Sequence, residues 1–316
     1  MNGSAIQRVA IIGTGVIGAS WATYFLARGL DVTATDPAPG AEPALRDTIE
    51  AQWPVMRAMG LAPGASLDRL RFAVSPEAAV AQAQFVQENG PERLDLKQNL
   101  FQRLDAAAPA EAILATSSST ITVSEFQDAC TRARERVVLG HPFNPPHLIP
   151  LVEVAGGRAT SPEVVRRTLD LYRAVGKHPI HLRKEVKGHV ANRLQAALWQ
   201  EAFHLVATGV ASVVDVDAAI AHGPGLRWAL LGPFLNLHLS GGAGGIGALF
   251  GKPLWQATEG LWRDLGTVSV DLELGSRVVD GVAEELASRD QDEVVRQRDE
   301  LLLALLRLKA GAKNLP

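Results

Sequence analysis

Residues 8–36 read RVAIIGTGVIGASWATYFLARGLDVTATD, and the fold is decided here. Arg8 to Ile12 is a short apolar run of the kind that makes a buried parallel strand. Gly13, Gly15 and Gly18 follow as G-x-G-x-x-G, and an amphipathic segment runs from Ala19 to Ala27 until Gly29 stops it. A second apolar run, Val32 to Thr35, ends at Asp36. Strand, glycine turn, helix, strand, acid is the context that separates a dinucleotide fingerprint from an ordinary glycine turn. Gly13 allows the tight turn, Gly15 lets the backbone approach a pyrophosphate, and Gly18 lets the helix pack closely on the strands. The helix start offers unpaired N–H groups to phosphate. Gly13, Gly15, Val16, Ile17, Gly18 and Asp36 are therefore expected to bind the cofactor. A carboxylate at 36 accepts from a ribose 2′-OH and repels a 2′-phosphate, which favours NAD over NADP. FAD uses the same fingerprint, so the motif alone leaves the cofactor open.

Working outward, the chain has 316 residues, 47% of them hydrophobic, enough for a sizeable core and two domains. A net charge of -3 gives no footprint for a nucleic acid or a membrane surface. Cys130 is the only cysteine, which excludes an intrachain disulfide and leaves no thiolate cluster for a metal. The eight histidines show no metal-ligand spacing, so no metal is expected. No basic-then-apolar leader or bilayer-length apolar run is seen, and a cytoplasmic location is expected.

After Asp36 the pattern keeps alternating. A helix is expected over Ala41 to Met59, with Arg46 and Arg57 as its only basic residues. Strands are expected at Leu70–Ala73, Phe85–Glu88, Ala112–Thr116, Val137–Leu139, Leu151–Val154 and Pro179–Leu182. Ser75-Pro76 and Ser161-Pro162 read as helix openings, and Leu94 to Leu104 as a further helix. This predicts an α/β, Rossmann-like, mostly parallel sheet covered on both faces. From Gly188 onward helical spacing takes over. Helices are expected from Val190 to Gly209, over Val213–Ala221, after Gly251 and Pro253, and over Val278–Ala287 and Glu293–Lys309. The charged stretch Lys184–Lys187 suggests a boundary, giving a cofactor domain over 1–186 and an all-helical C-terminal domain over 187–316. Trp199, Trp228, Trp255 and Trp262 fall in the helical half, suited to a core or a subunit interface.

Ligands of such folds bind beyond the carboxyl ends of the strands. Glu88, Ser119 and His141 all fall at or just past such ends. His141 lies in GHPFNPP, read as a stiff loop, and is either a general acid/base or a satisfied structural histidine. Glu153 interrupts the apolar run LVEV, where a carboxylate is unusual unless paired. If the chain turns back, the two form a base held by an acid. Ser119 and Thr120 offer hydroxyls without an acyl-transfer signature. Asn192 orients a substrate carbonyl or caps a contact, and Glu92 and Lys97 flank the beginning of a helix, where a surface ion pair is the ordinary role. His189 is the most interesting of the scattered histidines because it precedes Asn192.

These residues in this order resemble the 3-hydroxyacyl-CoA dehydrogenase family. The anchors are Gly13/Gly15/Gly18, Asp36, Pro91-Glu92 with Lys97, Ser117-Ser118-Ser119, HPFNP from His141, LVE ending at Glu153, and VANRL around Asn192. The resemblance spans nearly the whole chain. It implies NAD-dependent oxidation of a 3-hydroxyl, with His141 as catalytic base or acid and Glu153 orienting it. Ser119 and Asn192 would meet the substrate's reacting oxygen, and Glu92 and Lys97 would lie on the nicotinamide side. It also implies a homodimer through the C-terminal helices.

Within the family, GLRWALLGPF from Gly225 is similar to the branch acting on free hydroxy acids, of gulonate-like or carnitine-like type. CoA phosphates need basic partners, and Ala41–Met59 has no lysine. Arg227 is then a carboxylate clamp or pairs with an acid across a dimer, and Trp228 is available to a trimethylammonium group. Tyr24 and Tyr172 are the only tyrosines, which does not favour carnitine. A short-chain CoA thioester dehydrogenase and a non-catalytic, crystallin-like NAD-binding protein are the alternatives.

Overall fold

Eight strands form one sheet in the order β3-β2-β1-β4-β5-β6-β7-β8 in a computed structural model, which describes residues 6–250 and 253–315. Gly251, named above as preceding a helix, lies outside the described residues. The strands are β1 (Arg8–Ile12), β2 (Asp31–Thr35), β3 (Leu70–Phe72), β4 (Phe85–Glu88), β5 (Ile113–Thr116), β6 (Val137–Pro142), β7 (Leu151–Gly156) and β8 (His178–His181). Pairings are parallel except between β6 and β7. That exception has a simple cause. Only residues 143–150 join β6 to β7, and a parallel crossover needs a dozen or more residues.

Six helices complete the sheet unit: α1 (Val16–Ala27), α2 (Ala41–Met59), α3 (Pro76–Val80), α4 (Leu94–Ala107), α5 (Val123–Phe126) and α6 (Pro162–Ala174). Ser75 and Ser161 cap α3 and α6 by accepting backbone N–H groups, and proline opens both helices. Both sheet faces are covered, which explains the near-continuous apolar strands. In β1, Val9 and Ile11 enter one core with Trp21, Phe25, Phe85 and Tyr172, while Ala10 and Ile12 enter a second with Val86, Phe101, Leu114 and Phe126. Trp21 and Phe25 stack at 5.0 Å within α1, and Trp21 stacks on Tyr172 of α6 at 5.6 Å, so aromatic packing ties α1 to α6.

The chain divides into two compact units after Arg193. The division falls just inside α7 (Ala191–Ala207). The second unit is helical, with α8 (Val213–Ala221), α9 (Pro224–Trp228), α10 (Pro233–Ser240), α11 (Pro253–Asp264), α12 (Leu272–Leu286) and α13 (Gln291–Gly311). Its helices leave many large apolar side chains exposed, among them Trp199, Phe234, Leu301 and Leu308. Among the described residues no helix is long and apolar enough to cross a membrane.

Candidate active site

His141 and Glu153 are directly opposed in the antiparallel β6–β7 ladder, so both side chains stand on one face of the sheet. His141 is thus part of a strand rather than of the stiff loop read from its prolines. Register, not a loop turning back, brings the two together. His141 Nδ1 lies 3.0 Å from Glu153 Oε2, and both residues are buried. Oε1 of the same carboxylate accepts the N–H groups of Val190 (2.8 Å) and Ala191 (3.0 Å), at the start of α7. Burial pushes the Glu153 carboxyl up, but the bonds from His141, Ala191 and Val190 outweigh it and hold the group below the usual carboxylate range. A carboxylate only accepts, so Nδ1 carries the imidazole proton. Nε2 then presents its lone pair, 3.2 Å from the hydroxyl of half-buried Ser119. Ser119 sits three residues beyond the end of β5.

The glycine turn has the shape that its spacing implies. Gly13 adopts φ +85°, and a Cβ there would lie 2.9 Å from the Asn89 carbonyl oxygen. A Cβ on Gly18 would lie 1.9 Å from the Gly13 carbonyl oxygen, so only glycine allows this approach. A Cβ on Gly15 would meet nothing within 4 Å. Gly15 is also the N-cap of α1, and no side chain caps it. Open space in front of an uncapped helix start fits a pyrophosphate. Asp36 closes the turn by accepting the N–H of Thr14 (2.7 Å) and of Ala38 (2.9 Å). A carboxylate has about four acceptor positions, which leaves room for a ribose hydroxyl. These residues fit NAD.

Lys97 and Glu92 differ from the surface pair that their charges alone allow. Lys97 is 2% exposed, and its Nζ lies 3.0 Å from both carboxylate oxygens of fully buried Glu88, which ends β4. Glu88 also accepts from the Thr116 hydroxyl (2.6 Å) and the Gly90 N–H (2.6 Å). Glu92, 3.8 Å from Lys97, accepts from the Ser118 hydroxyl and from the Thr120 and Ile121 N–H groups. Burial raises the Glu92 carboxyl, and these bonds more than reverse the effect. Glu92 thereby shapes the Ser117–Thr120 segment that presents Ser119.

Several supporting residues carry no motif. The Tyr172 hydroxyl donates to Gln87 Oε1 (2.6 Å), and Gln87 Nε2 donates to the Gly140 carbonyl (3.0 Å) and the Ser117 hydroxyl (2.8 Å). This buried chain ties β4, the segment after β5 and β6 together next to His141. Gly140 is required there, since a Cβ would fall 2.1 Å from the Tyr172 hydroxyl oxygen. Lys177 is buried over the Tyr24 ring at 3.8 Å and donates to the Pro146 and Ile149 carbonyls, holding the segment after β6. A buried glutamine in the run FVQE was the one signal available to find this network.

His141, Glu153 and Ser119 are therefore brought together, and Asn192 is half-buried in the first turn of α7, next to the N–H groups that Glu153 binds. Arg227 and Trp228 are exposed at the end of α9, in the helical unit. Among the described residues no group of three or more His, Cys, Asp or Glu is placed to hold a metal.

The 3-hydroxyacyl-CoA dehydrogenase NAD-binding domain matches residues 8–186, and the C-terminal domain of the same family matches residues 188–265. The chain belongs to the 3-hydroxyacyl-CoA dehydrogenase family. It is similar to the L-carnitine dehydrogenase of Streptomyces griseus, 48% identical over 96% of this chain and 90% of the relative. It is 47% identical to that of Pseudomonas aeruginosa, over 95% and 93% of the two chains. Among solved structures it resembles 5-formyl-3-hydroxy-2-methylpyridine 4-carboxylic acid 5-dehydrogenase, an NAD+-dependent dismutase. That likeness has a TM-score of 0.82 and 30% identity, and covers 97% of this chain and 99% of the other. This member of the family is an NAD-dependent 3-hydroxy acid dehydrogenase.

Proposed function

We propose that this enzyme oxidises the 3-hydroxyl of a small free hydroxy acid, L-carnitine before others, to the 3-keto acid. The observation that carries the chemistry is the bare Nε2 of His141, with its tautomer fixed by Glu153 and its lone pair facing Ser119. His141 takes the hydroxyl proton at Nε2 as the C3–H bond breaks. Glu153 stabilises the imidazolium that results, and two backbone N–H groups hold Glu153 in place. In the reverse direction the imidazolium protonates the developing alkoxide. A positioned acid/base of this kind contributes about 10²–10⁴-fold. NAD, when bound, supplies the hydride acceptor. Gly15, Val16, Ile17 and Gly18 would hold its phosphates, Asp36 its ribose, and Glu92 and Lys97 would line its nicotinamide side. Ser119 and Asn192 would bind the substrate's reacting oxygen.

The choice of substrate rests on the relatives' names and on charge. L-carnitine dehydrogenases match nearly the full chain. Their weight exceeds that of the scarce tyrosines, which argued the other way. In α2, Arg46 is committed to Glu42 at 2.7 Å, and α2 has no lysine to offer CoA phosphates. Arg227 suits the carboxylate and Trp228 the trimethylammonium group. We assign residues 1–186 to the cofactor and 187–316 to substrate selection and to a homodimer. The exposed apolar side chains of α7, α10 and α13 support the dimer.

An NAD assay with L-carnitine, L-gulonate, 3-hydroxybutyrate and 3-hydroxybutyryl-CoA tests the reading. L-carnitine is expected to be turned over best. Much faster turnover of the CoA thioester would overturn the free-acid assignment. Tight NAD binding with no oxidation of any of the four would favour a non-catalytic protein.

A further inference from the structure

His189 is the only described non-glycine residue at positive φ, +53°, and it follows Gly188 at φ +76°. Histidine tolerates this region better than most side chains, but a strained backbone persists only where its surroundings hold it. The His189 side chain is 2% exposed. Its Nε2 lies 2.9 Å from the Ser118 carbonyl oxygen, so Nε2 carries the proton. Nδ1 is then a bare acceptor, and it is buried with no hydrogen-bond partner. The ring packs on that of His141, with centroids 4.8 Å apart and planes at 53°. A strained backbone, a buried unpaired nitrogen and a second imidazole against the first are each unfavourable on their own. All three are concentrated on the residue that touches both the Ser118–Ser119 segment and His141.

We propose that His189 is a positioning residue for His141 with two separable parts. Its Nε2–H tethers the Ser118 carbonyl and so fixes the Ser119 hydroxyl at His141, while its ring shields one side of the His141 imidazole from water. The proposal rests on the reading of His141 as the base. His189 does not compete for the proton. Burial pushes its own titration down, the Ser118 carbonyl opposes that, and a charged His141 pushes it down again. The ionisable groups around the two rings are Glu153 on β7 and Glu92 after β4. Water admitted beside His141 would stabilise its charged form.

The test compares His189→Phe, which keeps a ring but loses the N–H, with His189→Asn, which loses the ring and suits positive φ. The titration of His141 is followed by NMR in histidine-labelled protein without cofactor or substrate, with the signal assigned by its loss in His141→Asn. In His189→Asn the midpoint is expected to rise by about one pH unit, a tenfold change in ionisation. In His189→Phe it stays near wild type. Plateau kcat for L-carnitine is expected to fall about tenfold in both variants, since misplacing a reacting group by a fraction of an ångström has such effects. The acid limb of kcat/KM moves up in His189→Asn only. An unmoved midpoint in His189→Asn overturns the shield, and unchanged kcat in His189→Phe overturns the tether. Because the NMR titration needs no turnover, a shifted midpoint in a protein that does not oxidise L-carnitine would sink the proposed function and leave the shield standing.

Discussion

Glu153 binds His141 through one carboxylate oxygen, at 3.0 Å, and the start of α7 through the other. The imidazole is therefore oriented by a group that is itself anchored to backbone. Its orientation does not depend on a flexible side chain finding a partner. Asn192, one residue past Ala191, shares that anchor, so the placement of the base and that of a substrate ligand are linked through one carboxylate.

Replacing Glu153 by Gln keeps the shape but removes the charge that fixes the tautomer and stabilises the imidazolium. We expect kcat to fall about 10²–10⁴-fold, the range for losing a positioned acid/base. NAD affinity should be unchanged, since no cradle residue touches Glu153. Steady-state kinetics with fluorescence titration of NAD would check this. A drop in NAD affinity equal to the drop in kcat would argue against the assignment.

Gly15 and Gly18 should separate cofactor binding from folding. Gly18→Ala places a carbon 1.9 Å from the Gly13 carbonyl oxygen and should lower the melting temperature of the protein without cofactor. Gly15→Ala meets nothing within 4 Å, so its melting temperature should stay within a few degrees of wild type. The added methyl stands where the pyrophosphate approaches, and calorimetry should show NAD binding at least tenfold weaker, about 1.4 kcal/mol. Equal NAD affinity in Gly15→Ala and wild type would contradict the cradle.

The pair Lys97–Glu88 is almost fully buried. Lys97→Met leaves an uncompensated carboxylate in the core, which costs about 3–5 kcal/mol. Urea unfolding should report that loss, and Lys97→Met/Glu88→Gln should recover much of it because no fully buried charge is left unpaired; Glu92, the other partner of Lys97, is partly exposed. If the double variant is as unstable as the single one, the pair is not what holds this region.

How far the sequence leads depends on whether a residue's role is local. Gly13, Gly15, Gly18 and Asp36 act within one strand–turn–helix–strand unit, so their spacing shows their geometry. His141 and Glu153 pair across a sheet, yet the eight residues between β6 and β7 are too few for a parallel crossover, so even this pairing was within reach. What stayed hidden depends on how separate elements dock, whether the partners are near or far in sequence. Lys97 looks like any helical lysine until α4 is docked on β4. Gln87 meets Tyr172 across 85 residues, and His189 meets Ser118 across 71. No periodicity records such contacts. Proline density suggested a loop around His141, whereas in the structure Pro142 is the last residue of a strand.

Acid stability should follow the two site carboxylates. Both Glu153 and Glu92 titrate below the usual value near 4.5 in the folded protein. A depressed folded value means that the unfolded chain binds the proton more readily. The stabilisation is therefore complete above about pH 5 and is lost as pH falls through the folded values. Unfolding free energy should be insensitive to these groups from pH 6 to 8 and should decline below pH 5, buried Glu153 adding up to about 1.4 kcal/mol per pH unit and the partly exposed, solvent-screened Glu92 less. Glu92→Gln should be less stable than wild type at pH 7, and its decline between pH 5 and 3 should be shallower, because one of the protons responsible is gone. Urea denaturation at pH 7, 5, 4 and 3 measures both quantities. Parallel declines in Glu92→Gln and wild type would mean that the bonds from Ser118, Thr120 and Ile121 do not depend on the charge of Glu92, and the Ser119 segment would then need another support.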